Sequence, residues 1–136
     1  MWKRLGAVEV ELVNQEWKTF LDSRNRGDFV LTRGAWIADY NEASTMIDVF
    51  HSKHGNNDGK YNNPKYDEII DKAKITLDTG ERTQLYQAAE QILAQDFPAI
   101  YLYHYSNRRL IKPWVKGYGR NPQGRIQARD LYVVAH

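Results

Sequence analysis

Apolar and polar positions change period several times along the chain, and each change marks an element. Val8-Glu9-Val10-Glu11-Leu12-Val13 alternates until its last pair, the period-two pattern of a half-buried strand. Asn14 is placed to cap a helix in which Trp17 and Leu21, four apart, share a face, with Phe20 beside them. That helix should close near Arg26-Gly27, where glycine accepts the left-handed closing conformation. Phe29 to Ile37 is a mostly apolar run containing β-formers and predicts a buried strand. Strand, helix and strand together predict a βαβ unit with a parallel pair. Ahead of them, Trp2 to Leu5 followed by Gly6 reads as the last turn of a helix, which one turn cannot nucleate. Either that end frays or the chain is cut from something longer.

Asp39-Tyr40-Asn41-Glu42 then breaks the apolar run, at the carboxyl end of the expected strand, where ligand crevices form in α/β folds. Ala43 to Phe50 predicts a short helix, and His51 to Asn63 a loop rich in Asn, Gly, Asp and Lys, exposed and mobile. Asn63-Pro64 is a helix-start signal, after which Tyr66, Ile69, Ile70, Ala73 and Leu77 fall on one stripe. Asp78 and Glu81 have capping-box spacing, with Asp in place of the usual hydroxyl residue. The helix that follows should carry Leu85, Ala89, Ile92 and Leu93 inward and end before Pro98, making a helical hairpin. Ile100 to Tyr105, Leu110-Ile111 and Leu131 to Val134 are further strand candidates, separated by Pro113, Gly117, Gly119, Pro122 and Gly124. The class is α/β or α+β, with a long irregular return near the end.

Composition narrows this picture by exclusion. A chain of 136 residues is one domain or part of one. Its 19 Lys+Arg against 17 Asp+Glu leave +2, without the basic excess of an electrostatic nucleic-acid binder. The lack of cysteine excludes disulfides, a thiol nucleophile and cysteine-ligated metal centres. Apolar runs are far shorter than the ~20 residues of a membrane-spanning helix, and the basic pair Lys3-Arg4 has no apolar signal-peptide core behind it.

The densest set of chemically capable residues is Arg33-Gly34-Ala35-Trp36-Ile37-Ala38-Asp39-Tyr40-Asn41-Glu42. An unobstructed backbone, an indole face and a carboxylate at a strand's end suit a ligand that carries an ammonium group. Two other accounts of the same residues stand beside this one. Asp39 can start a turn while Trp36 fills the core, or Asp39 and Glu42 can form a general acid and base pair for glycoside hydrolysis. His51, His54 and Asp58 are possible metal ligands, but no helix puts them on one face, and solvated loop histidines are the better account. Arg108, Arg109, Lys112, Lys116, Arg120, Arg125 and Arg129, interleaved with Tyr103, Tyr105, Trp114 and Tyr118, suit either an RNA-binding surface or a solvated basic face.

Three long segments carry a resemblance. Val13-Asn14-Gln15-Glu16-Trp17-Lys18-Thr19-Phe20-Leu21-Asp22-Ser23-Arg24, the segment from Arg33 to Glu42, and Asn107-Arg108-Arg109-Leu110-Ile111-Lys112-Pro113-Trp114-Val115-Lys116-Gly117-Tyr118 resemble, in order and spacing, the periplasmic oligopeptide-binding proteins of peptide ABC transporters. The resemblance runs from Trp2 to His136 and is to the oligopeptide and murein-peptide branch. It implies the C-terminal part of a type II two-lobed α/β fold. Residues 1–105 would be much of the C-terminal peptide-binding lobe, and residues 106–136 the hinge-crossing return, with the signal peptide and most of the other lobe absent.

The implied function is capture of oligopeptides for import, working with membrane permease components, in the periplasm, without enzymatic activity, cofactor, metal, nucleic acid or direct membrane insertion. Capture of murein tripeptides for cell-wall recycling is the alternative, and RNA binding by the basic third a second one. By resemblance, Asp39 matches the aspartate that pairs with the peptide α-ammonium, and Gly34, Ala35 and Ile37 match strand positions whose backbone meets the peptide. Trp17 and Trp36 match pocket tryptophans, and Tyr105 a ligand-facing tyrosine. Arg33 matches an arginine for the carboxylate of short peptides, and Arg24 one for a side-chain carboxylate. Ala43 stands where these relatives usually have proline.

Overall fold

The computed structural model describes residues 4, 6, 9–106, 108–119, 121 and 123–135. The chain divides into two compact units, Met1–Arg33 and Gly34–His136. The helix end expected at Trp2 to Gly6 lies largely outside the described residues, as do Val8, Asn107, Arg120 and Pro122.

Among the described residues the first unit has one α-helix, α1 (Trp17–Arg26). Its N-cap is Glu16 rather than Asn14, because the Glu16 carboxylate accepts from the amides of Lys18 at 2.9 Å and Thr19 at 3.2 Å. A charged acceptor there also complements the positive end of the helix dipole. Gly27 closes α1 at φ 78, as expected, and Arg24 and Arg26 occupy the last turn. The flanking strands expected at Val8 to Val13 and Phe29 to Ile37 do not form among the described residues, so there is no βαβ unit. Leu12, Val13, Val30 and Leu31 are all exposed. Their apolar pattern records a fitness for burial, but a strand exists only where another strand accepts its ladder hydrogen bonds.

The second unit is built on a helical hairpin. Asn63 caps α3 (Pro64–Ile75) by accepting from the amides of Lys65 and Tyr66, with Pro64 at the first position. Asp78 caps α4 (Thr79–Asp96) by accepting from Glu81 N–H at 2.7 Å. The two helices pack along the expected stripes. Tyr66, Ile70 and Ala73 from α3 and Ala89 and Leu93 from α4 are buried, and Ile69, Tyr86 and Ile92 lie against them. Each fully buried large side chain contributes about 1.5–3 kcal/mol through removal from water. Leu77 departs from the stripe at 92% exposed. The chain leaves the helix at Thr76 (ψ 117), so the four-residue spacing no longer applies.

Ser44 to Phe50 caps this hairpin as α2 (Ser44–Ile47) and a following 3-10 turn, close to the expected short helix. Ile47 enters the core, and its carbonyl accepts the buried Tyr66 hydroxyl. The loop after it is not the exposed, mobile segment its composition predicts. Turns recur every three residues, with His54 N–H on His51 O, Asn57 N–H on His54 O and Lys60 N–H on Asn57 O. Asn57, 7% exposed, ties them together, donating to His51 O and Tyr61 O and accepting from Tyr61 N–H.

The only ladder among the described residues pairs β1 (Val115–Lys116) with β2 (Tyr132–Val133), antiparallel, Val115 opposite Val133. The expected final strand is therefore present in part. Ile100 to Tyr105 and Leu110-Ile111 form none, and Ile100, Tyr101, Leu102 and Leu110 are exposed because no neighbouring strand covers them.

Candidate functional site

The site is organised around Thr45. Its side chain is buried in α2, its hydroxyl accepts the Asp39 N–H at 2.9 Å, and its carbonyl accepts the Trp36 indole N–H at 2.7 Å. One residue thus fixes both ends of the Trp36 to Asp39 segment against the hairpin. The Trp36 ring also meets the His54 imidazole edge-on, with centroids 6.3 Å apart. Gly34, Ala35 and Ile37 are exposed in irregular chain on either side of Trp36, and nothing lies within 4 Å of where a Gly34 Cβ would be. The Asp39 side chain is 61% exposed, so its backbone is fixed while its carboxylate faces water.

Glu42 is differently placed. Its carboxylate is held by Arg82 Nε at 2.8 Å and the Tyr86 hydroxyl at 3.0 Å, both on α4. The Tyr86 phenol is pushed up from its usual value, first by burial. Below these residues, burial raises the Asp48 carboxyl, opposed by the charge of Lys74. Glu42 therefore braces the turn after Asp39, and no geometry here pairs the two carboxylates across a reacting bond.

The histidines do not form the metal set that sequence allows. His51 is 5% exposed rather than solvated, lies 3.3 Å from Asp71 and 3.8 Å from Asp67, and accepts the Lys53 N–H on Nδ1. His54 Nδ1 accepts from Asn56 N–H. Each imidazole serves the backbone of its own loop, and among the described residues no three metal-ligating side chains converge.

Trp17, Arg24 and Arg33 belong to the first unit. Trp17 stacks on Phe20 at 5.6 Å and is largely exposed, the Arg24 guanidinium lies over the Phe20 ring at 5.7 Å, and Arg33 is exposed. Tyr105 is exposed in the second unit, with its ring against Tyr103 at 5.3 Å. The basic third is partly engaged internally. Arg109 donates to Gly124 O, Lys112 lies over Trp114, and Arg129 pairs with Asp130.

Three residues at the site are not placed there by sequence, and of them only Arg125 enters the sequence reading, as one of the basic residues of the last third. Thr45 is one. The others are Gln123, whose amide donates to Asp39 O, and Arg125, whose Nη2 lies 3.6 Å from Asp39 Oδ1. Asn121 to Gly124 reads as a turn, but nothing in sequence places that turn beside a residue 84 positions away.

No protein-family model matches the chain. It is 44% identical over its whole length to the periplasmic murein peptide-binding protein MppA of Escherichia coli strain K12, covering 26% of that protein. Among solved structures, the murein tripeptide binding protein MppA of Escherichia coli matches with a TM-score of 0.89 at 44% identity, over 99% of this chain and 27% of that one. Haemophilus influenzae OppA in complex with the peptide RPPGFSPFR matches with a TM-score of 0.88 at 42% identity, over 98% of this chain and 27% of that one. These relatives are solute-binding proteins. The chain spans about a quarter of their length. In sequence and in fold, the chain is thus a homologue of the periplasmic oligopeptide- and murein-peptide-binding proteins, corresponding to the C-terminal portion of their type II two-lobed α/β fold.

Proposed function

We propose that this chain supplies part of the ligand site of a periplasmic solute-binding protein that captures oligopeptides for ABC-transporter import, with Asp39 as the anchor for the peptide α-ammonium. In this reading residues 1–105 belong to the C-terminal peptide-binding lobe and residues 106–136 to the return across the hinge. The peptide lies extended, its backbone meeting that of Gly34, Ala35 and Ile37, with Trp36 covering its apolar carbons. By the same resemblance, Trp17, Arg24, Arg33 and Tyr105 are further candidate peptide-binding residues. The permease components of the transporter are the protein partners, and the role requires no catalysis.

The observation that carries the reading is the state of Asp39, a carboxylate exposed to water on a backbone held by Thr45. Such a group meets an incoming cation without having to be ordered first. In open solvent the pair is worth about 0.2–1 kcal/mol, or roughly up to fivefold in affinity. Titration of the 136-residue chain with Ala-Ala-Ala, followed by amide NMR, tests it. The amides of residues 34–39 should shift at millimolar peptide, and both N-acetylation of the peptide and Asp39→Asn should weaken the effect. Equal shifts from the free and acetylated peptides would contradict the anchor.

The match to MppA, at 44% identity beside 42–44% for the OppA proteins, keeps a second reading, capture of murein tripeptides, alongside the first. In that case a diaminopimelate-containing tripeptide should displace Ala-Ala-Ala in the same titration, which an oligopeptide site tolerant of side chains would not require.

A further inference from the structure

The C-terminal return folds back onto the proposed anchor as a braced turn. Asn121 O accepts the Gly124 N–H at 3.0 Å, and the Asn121 side chain accepts from Arg125 N–H at 3.2 Å and donates to Arg125 O at 2.5 Å. Gly124 sits in the left-handed region at φ 64, where glycine carries no steric penalty. From outside, the Arg109 guanidinium donates to Gly124 O at 2.8 Å and reaches the Tyr118 hydroxyl at 3.4 Å. A turn held at both ends presents two side chains to one residue. Gln123 donates to the Asp39 carbonyl, and Arg125 stands 3.6 Å from Oδ1 of its carboxylate.

We propose that Arg125 selects the first residue of the bound peptide, favouring an acidic side chain and opposing a basic one. This rests on the reading of Asp39 as the ammonium anchor. With the guanidinium at Oδ1, the ligand ammonium takes Oδ2 and the two cations become neighbours on one carboxylate. An aspartate or glutamate in first position carries its own carboxylate only a few bonds from that ammonium, so it reaches the guanidinium without leaving the anchor. Four charges then alternate in sign. A lysine there brings a third cation to the same place. Because Asp39 and Arg125 are 61% and 63% exposed, each of these effects has the size of an exposed pair, about two- to fivefold, and is screened by salt.

The test is amide NMR titration of the 136-residue chain with Glu-Ala-Ala, Ala-Ala-Ala and Lys-Ala-Ala, in the wild type, Arg125→Gln, Arg125→Lys and Asp39→Asn. At low salt the wild type should bind Glu-Ala-Ala about tenfold more tightly than Lys-Ala-Ala, the product of two exposed-pair effects. Arg125→Lys should keep most of that ratio, and Arg125→Gln should bring it close to one, as should raising the salt. Unchanged cross-strand contacts between Val115 and Val133 would establish that the variants are folded. If Arg125→Gln keeps the wild-type ratio while Asp39→Asn weakens all three peptides, the selector is overturned and the anchor stands. If no peptide shifts residues 34–39, or Asp39→Asn changes nothing, the anchor falls and the selector with it.

Discussion

Replacing Thr45 with valine asks whether one hydroxyl holds the candidate anchor in place. Thr45 is 6% exposed, and valine puts a methyl where the hydroxyl was, so the change opens no cavity and removes only the hydrogen-bonding oxygen. What is lost is the Asp39 N–H bond to Oγ1 at 2.9 Å, whereas the Thr45 carbonyl remains for the Trp36 indole at 2.7 Å. A neutral hydrogen bond contributes about 0.5–1.5 kcal/mol net, and a buried donor left unmade costs more. Asp39 is exposed enough for water to take over its N–H, which sets the loss near 1 kcal/mol, roughly fivefold in the local opening equilibrium.

Amide hydrogen exchange resolved by NMR reads this directly. Protection of the Asp39 amide should fall about fivefold in Thr45→Val, while the Trp36 indole N–H and the Ala89 and Leu93 amides hold. Thr45→Ser is the control. It keeps the oxygen but loses a buried methyl, so it should retain Asp39 protection although global stability drops by about 1 kcal/mol. Equal loss of Asp39 protection in the two variants, or a matching loss at the Trp36 indole, would refute the tether.

Gly117→Ala should separate the short ladder, because a Cβ there would stand 1.8 Å from the Asp130 carbonyl oxygen at a residue with φ 80. Cross-strand NMR contacts between Val115 and Val133 should vanish, and their survival would count against the geometry. Stability should also carry two pH limbs from one contact, the Asp96 carboxylate accepting from Tyr61 hydroxyl at 2.5 Å and Asn63 amide at 2.7 Å. These bonds hold the Asp96 carboxyl below its usual range, so their contribution is complete above about pH 4 and fades as pH falls through the depressed value. Burial and then Asp96 push the Tyr61 phenol up to about 12, so its share is complete below about pH 10 and fades as pH rises toward the raised value. Urea unfolding across pH should show the acid limb flattened in Asp96→Asn; an unaltered limb would remove Asp96 from the account.

The parts of the fold that sequence made legible are those whose determinants are local. Asn63-Pro64, the Asp78 and Glu81 spacing and Gly27 each act within one helical turn, and each does what its chemistry implies. Phe29 to Ile37 and Ile100 to Tyr105 carry an equally clear pattern, but their outcome depends on partners elsewhere in a chain, which periodicity does not encode. Composition misjudged the loop at His51 for a related reason. Polarity predicts exposure, but Asn57 can satisfy the loop's backbone from inside and so permits burial. At the candidate site, Trp36 and Asp39 stood out because their chemistry is concentrated within a few residues. Thr45, Gln123 and Arg125 did not, since they act through folding that brings distant turns together.

The bare run Ile100-Tyr101-Leu102 has a practical consequence. It has neither charge nor proline, its side chains are 57%, 70% and 76% exposed, and no ladder occupies it. Exposed apolar segments with β-forming residues are where chains stack into cross-β assemblies, and gatekeeping charges are the usual defence. Here the nearest charges in sequence after it are Arg108 and Arg109. Leu102→Lys places such a charge inside the run and should raise the concentration at which the chain stays monomeric, which sedimentation would read.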